Sequence, residues 1–261
     1  MTIRSPASMQ HNNALARFAP LAAVVAGLLA VSQPANAFNF VPRDAEWAVW
    51  SPLCKARYSV TKAANASPYG NSVPTHEVES WHAQVGNYTW THMHHYCAGL
   101  AYLYRAKSEL DPDKRRGFLK SASRETGYTY SQLLERPGQP LFSEVSIAMA
   151  LIEAERGSYG RAVDYVNSAL AISPHDERLF IAMANIRSKE KKPALAKEAL
   201  LRGDEATGGD SAEINYNLGL VSLELGEVDA AVDYARKAYS AGYPLPGLKR
   251  KLAAAGRTLT L

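Results

Sequence analysis

The chain of 261 residues has only two cysteines, Cys54 and Cys97, and no Cys-x-x-Cys pair. It also lacks three motifs that mark common chemistries: a Gly-x-Ser-x-Gly turn, a glycine-rich phosphate loop and a His-Glu-x-x-His zinc pair. No sequence signal therefore supports catalysis, and we expect a protein without enzymatic activity or a cofactor.

A strong excess of charge of one sign is missing as well. The formal net charge is +4, but the first 37 residues contain two arginines and no acid, so the remainder holds 27 basic and 25 acidic residues. Nucleic-acid binding requires a concentrated basic surface, so we expect no nucleic-acid partner. The 47% hydrophobic and 21% charged content is typical of a globular protein.

The chain has no apolar run long enough to span a membrane. Its longest such run, residues 18–31, is shorter than the ~20 residues that a spanning helix needs. Arg4 and Arg17 precede this run, and Ala35-Asn36-Ala37 follows it. This order predicts a secretory signal peptide over residues 1–37, cleaved after Ala37, and a periplasmic or secreted protein with no span after cleavage. An uncleaved signal anchor is the alternative.

Export would bring the two cysteines into an oxidising compartment. A Cys54–Cys97 disulfide would close a loop of about 44 residues and stabilise the fold by on the order of 4 kcal/mol. We therefore predict this bridge. Two free thiols, or thiols that bind a metal, are the alternatives.

Small residues recur with a period of 34 residues between residues 143 and 243. The aligned sets are Gly157, Tyr159, Ala162, Ala169 and Pro174; Lys191, Pro193, Ala196 and Gly203; and, after one inserted residue, Gly226, Val228, Ala231, Ala238 and Tyr243. Such a period is typical of stacked helical hairpins, in which small side chains allow close helix contact.

Apolar spacing elsewhere also predicts helices rather than strands. We expect a kinked helix over 45–58, a loop over 61–75, a short helix over 77–85 with a break at Gly86, and long helices over 88–109 and 113–134. Helix pairs should follow over 142–156 with 159–172, 177–189 with 193–202, and 212–225 with 228–241, and then a final basic helix over 248–255.

These residues give the segment 143–243 a resemblance to tetratricopeptide repeat proteins, although Lys191 and Pro193 depart from the pattern. The resemblance implies an all-α superhelix of three regular units, preceded by an irregular helical pair and followed by a capping helix. The implied divisions are a signal peptide (1–37), an N-terminal helical region (38–140) and a repeat array (141–261).

In such proteins the first helix of each unit lines a concave binding face. By motif position, the residues of this face are Glu144, Ile147, Leu151, Arg178, Ile181, Asn185, Glu213, Tyr216 and Leu220. Some proteins of this family clamp the terminal carboxylate of a peptide with polar residues on this face. Apolar residues occupy those positions here, so we expect another mode of binding to a partner peptide or helix. The alternative is that the N-terminal region covers this face.

The segment from His92 to Cys97 is the one concentration of candidate metal ligands, since it contains His92, His94 and His95. Its spacing is not that of a helical zinc pair, and hydrogen-bonded packing is the favoured interpretation.

The repeat resemblance and the predicted signal peptide together predict a protein-interaction module or assembly scaffold of the bacterial cell envelope. A periplasmic protein that binds copper or zinc through this cluster is the alternative.

Overall fold

The computed structural model describes Phe38 and residues 40–259, and the predicted signal peptide lies outside this part. Within it the protein is all-helical, with no strand. The helices are α1 (Asp44–Val49), α2 (Pro52–Ser59), a 3-10 helix (Lys62–Ala66), α3 (Thr75–Ser108), α4 (Pro112–Leu134), α5 (Phe142–Glu155), α6 (Tyr159–Leu170), α7 (Glu177–Lys189), α8 (Pro193–Ala206), α9 (Ala212–Glu224), α10 (Val228–Ser240) and α11 (Gly247–Ala254).

The helices pack mainly as pairs of chain neighbours: α3 with α4, α5 with α6, α7 with α8, and α9 with α10. Each of the helices α3, α5 and α7 also contacts the first helix of the next pair. The paired helices belong to one compact unit. No helix in the described part is long and apolar enough to cross a membrane.

Turns between paired helices repeat the same backbone conformation. Gly157 and Gly226 follow α5 and α9 with φ of 78° and 77°. Lys191 occupies the corresponding position after α7 with φ of 65°. A left-handed backbone favours glycine because a Cβ atom adds strain there. The middle unit thus keeps the turn geometry despite its non-glycine residue.

Close contact between paired helices depends on the small residues of the repeat. Ala162, Ala196 and Ala231 are each 0% exposed, and Gly203 of α8 lies against α7. A Cβ atom on Gly203 would be 2.7 Å from Phe180 Cβ and 3.1 Å from Ile214 Cδ1. Since real Cβ atoms do not approach so closely, the repeat period is a packing requirement.

The N-terminal helices agree with the expectation at Gly86 and differ from it in the predicted loop. Gly86 has a non-helical φ of 74° and ψ of 159°, and it kinks α3 where the sequence predicts a break. The predicted loop over 61–75, however, contains the short 3-10 helix. Thr61 explains its start, because the Thr61 hydroxyl accepts a hydrogen bond from the Ala64 amide at 3.2 Å.

The predicted disulfide between Cys54 and Cys97 is present and joins α2 to α3. Both cysteines are 1% exposed and lie in a cluster with buried aromatic side chains, among them Trp50 and Tyr58. Nearby, the carboxylate of Glu46 accepts two hydrogen bonds from Arg105, at 2.5 and 2.7 Å. Because this ion pair is almost fully buried, it fixes α1 against α3.

We predict opposite effects of alanine at two helical glycines. Gly203→Ala should lower the free energy of unfolding by ~1–3 kcal/mol, because the added methyl group overlaps Phe180. Gly117→Ala, where no atom lies within 4 Å of the new Cβ, should raise it by ~0.5–1 kcal/mol. Urea unfolding of both variants measures the difference. Equal effects would contradict the packing requirement.

Removal of the disulfide should destabilise the fold strongly. For a sequence separation of 43 residues, the Cys54→Ala/Cys97→Ala variant should lose on the order of 4 kcal/mol of unfolding free energy. Chemical unfolding of the wild type with and without reductant provides the matched measurement. An unfolding midpoint that does not respond to reductant would show that the bridge adds no stability.

Candidate binding groove

The nine predicted binding residues lie on the first helices of three pairs, three each on α5, α7 and α9. Six of them fall into three environments. Glu144 and Arg178 pair with each other, Ile181 and Tyr216 are buried, and Asn185 and Leu220 line a groove. Ile147, Leu151 and Glu213 complete the set; the first two are half-buried and the third is exposed.

The charged residues at the start of this face interact mainly with one another. Arg178 donates hydrogen bonds to Glu144 at 2.6 Å and to both carboxylate oxygens of Asp176, at 2.7 and 2.8 Å. Burial acts to raise the pKa of Asp176, but the hydrogen bond and charge of Arg178 outweigh it and hold that pKa below its usual range. These groups stabilise the contact between α5 and α7 and leave less polar capacity for a ligand.

The apolar residues at the centre of the face belong to the core. Ile181 and Tyr216 are each 8% exposed. The Tyr216 ring lies 4.2 Å from that of Tyr243, measured between centroids. Tyr88 and Tyr96 of α3 pack on the buried cluster that contains Ile181. Burial raises the pKa of Tyr96 to about 12.

An open groove lies between α7, α9 and α11, with a volume of about 510 Å³. Two of the predicted residues, Asn185 and Leu220, line it. The other lining residues are Ser188, Asn217, Val221, Leu223, Glu224, Lys251 and Ala255. The groove therefore combines an apolar surface from α9 with amide, hydroxyl and charged groups.

Most polar groups of the groove are free to bind a ligand. Within the described residues, no hydrogen bond engages the side chain of Asn185 or Ser188, and neither Glu224 nor Lys251 has an ion-pair partner. Asn217 donates from Nδ2 to the Glu213 carbonyl at 2.8 Å, which leaves its Oδ1 as an acceptor. This state contrasts with the paired charges of Glu144 and Arg178.

The sequence-based prediction missed several groove residues. One of them, Asn217, could have been found from the sequence. Asn217 lies four residues after Glu213 and three before Leu220, so helical spacing places it on the same side of α9. Lys251 left no such signal. It reaches the groove because α11 packs on α9 and α10 through Leu248 and Leu252, both 0% exposed.

The histidines near Cys97 each have a different hydrogen-bond partner. His92 Nδ1 is 3.1 Å from the Tyr128 hydroxyl, His94 Nδ1 is 3.2 Å from Arg57 Nη2, and His95 Nδ1 is 2.7 Å from Glu125 Oε2. Burial, together with the charge of Arg57, lowers the pKa of His94 to about 3. In the described part of the chain, no three His, Cys, Asp or Glu side chains form a metal-binding group.

Acidic substitutions should separate the buried from the open part of the predicted face. Ile181→Asp places a charge in the core, so we expect the free energy of unfolding to fall by ~3 kcal/mol or more. Asn185→Asp, one turn further along α7 and exposed, should change it by less than ~0.5 kcal/mol. Urea unfolding measures both. A stable Ile181→Asp variant would show that this position opens to solvent.

The chain matches no protein-family model, and no curated protein resembles it closely enough to count as a relative. The repeat resemblance thus depends on the 34-residue period, the helix pairs and the buried small residues.

Proposed function

We propose that this chain is a non-enzymatic, tetratricopeptide-like binding module of the bacterial cell envelope that holds an extended segment of a partner protein in the groove between α7, α9 and α11. Three helix pairs with turns of the same conformation at Gly157, Lys191 and Gly226 support the repeat assignment. Stacked pairs of this kind form a right-handed superhelix with a concave face.

The observation that carries the proposal is the polar capacity left on adjacent first helices, from the Asn185 amide and from the Oδ1 atom of Asn217. Asn185 on α7 and Asn217 on α9 each carry an amide group that can donate and accept hydrogen bonds. A peptide group offers the complementary donor and acceptor, so an extended backbone can bind both amides. Leu220 and Leu223 supply apolar contact for the side chains of such a segment.

Groove size agrees with this type of ligand. A volume of about 510 Å³ falls within the ~300–1,000 Å³ range of ligand sites in proteins. Glu224 and Lys251 place one charge of each sign in the same groove. Charged groups of this kind select partners more than they add affinity.

The predicted signal peptide supports a location in the envelope. Residues 1–37 carry the basic start, the apolar centre and the Ala-Asn-Ala end of an exported precursor. The buried disulfide between Cys54 and Cys97 supports an oxidising compartment. Both observations favour the periplasm or the exterior over the cytoplasm.

We predict that two asparagines of the groove are required for partner capture. An Asn185→Ala/Asn217→Ala variant should bind the partner at least tenfold more weakly, because two hydrogen-bonding groups are lost at ~1 kcal/mol or more each. Asn167→Ala, at an exposed position on the second helix α6, is the matched control and should bind normally. The measurement is capture from a native envelope fraction, followed by Kd values for the recovered partner.

The wild type, the double variant and the Asn167→Ala control should have the same thermal unfolding midpoint, since none of these side chains belongs to the core. A partner that binds the double variant as tightly as the wild type would refute the groove as the binding site. Equal loss of binding in Asn167→Ala would place the site on another surface.

A further inference from the structure

Basic residues are concentrated at the C-terminal end of the chain. Residues 234–261 contain six basic residues and no acidic residue, whereas residues 38–233 contain 21 basic and 25 acidic residues. The small net charge therefore results from a positive C-terminal end and a slightly negative remainder. Two of the six basic residues, Arg236 and Arg257, are paired with Asp233 and Asp229 of α10.

Two contacts show that the last two helices, α10 and α11, run antiparallel. Arg257, just after α11, donates a hydrogen bond to Asp229 in the first turn of α10 at 2.7 Å. Lys249, in the first turn of α11, has its Nζ atom 4.2 Å from the centre of the Tyr239 ring, near the end of α10. The end of α10 and the start of α11 therefore lie side by side at the turn between them.

Three basic side chains lie at this turn. Lys237 is in the last turn of α10, and Lys249 and Arg250 are in the first turn of α11. All three are exposed, and within the described residues no carboxylate forms an ion pair with any of them. Glu213, in the first turn of α9, is an acidic residue at the edge of this region. The turn is thus a positive surface with its charges available to a partner.

The same turn holds an apolar side chain in a fixed position. Leu245 is 54% exposed and lies between Pro244 and Pro246. The Tyr239 hydroxyl donates a hydrogen bond to the Leu245 carbonyl at 2.9 Å and accepts one from the Lys249 amide at 3.1 Å. Because Tyr239 is itself buried, it holds the turn against α10.

From this arrangement we propose that the turn between α10 and α11 binds an anionic phospholipid surface through its basic side chains and Leu245. Each basic residue near an anionic membrane increases affinity roughly fivefold. Long basic side chains can reach the headgroups from different sides of a helix end, and an exposed leucine can enter the boundary with the acyl chains.

A lipid surface fits this turn better than an acidic peptide does. A peptide binds most readily in a groove, and the groove described above is lined by Lys251 but not by Lys237, Leu245, Lys249 or Arg250. An anionic membrane also repels the acidic excess of residues 38–233. Contact should therefore be confined to the C-terminal end of the molecule.

Binding of the full chain to lipid vesicles tests this surface. Vesicles of phosphatidylcholine with about one third phosphatidylglycerol should bind the protein at least tenfold more tightly than pure phosphatidylcholine vesicles at low salt. Salt at ~1 M should remove the difference, because it screens the charges. The pure phosphatidylcholine vesicles also measure any insertion of the apolar residues 18–31, which needs no anionic lipid.

A variant that neutralises the surface should bind weakly. Lys237→Gln/Lys249→Gln/Arg250→Gln should lose at least tenfold of the affinity for the anionic vesicles. The matched control removes the same charge from exposed positions of α3 and α4 and should bind like the wild type. Its substitutions are Lys107→Gln, Lys114→Gln and Lys120→Gln.

Equal affinity of the wild type for both kinds of vesicle would overturn the proposal, and this comparison needs no variant. Unchanged affinity in the folded surface variant would also overturn it, and circular dichroism identifies the folded variants. An equal loss in the control variant would show that net charge, and not this surface, explains binding. Binding to a decaglutamate peptide but not to anionic vesicles would assign the surface to an acidic protein segment and reject the lipid.

Discussion

Steric clearance between paired helices is the constraint on which the rest of the structure depends. Ala162, Ala196 and Ala231 have no exposed surface, and Gly203 leaves no room for a methyl group beside Phe180. Protein interiors are close-packed, so adding or removing even one methyl group in such a contact destabilises the fold. This contact limits how far apart the two helices of a pair can lie, and neighbouring pairs pack through their first helices.

That stacking divides the predicted concave face into a closed and an open part. In the closed part, near α5, the charged groups of the face are engaged in the Glu144–Arg178 ion pair. Near α11 it is open, because a single short helix borders the groove and no further pair follows in the described part. The open groove therefore lies at one end of the helix pairs.

Local signals in the sequence predicted most of the fold. Helix periodicity, the kink at Gly86 and the Cys54–Cys97 pair each depend on spacing within the chain, and each appears in the structure. Contacts between distant segments could not be read in the same way. The burial of Tyr216 by Tyr243 depends on how helices stack, and the pairing of His95 with Glu125 joins α3 to α4. The motif position of Tyr216 gave its helix face but not its neighbours.

Gly219 gives the C-terminal helix a role that its position as a cap does not suggest. The Leu248 side chain of α11 occupies the space that a Cβ atom on Gly219 would fill. Because Gly219 has no side chain, α11 can approach α9 closely at this point. Any bulkier residue would push α11 outward and widen the cleft beside Lys251. One glycine thereby helps to set the width of the groove beside Lys251.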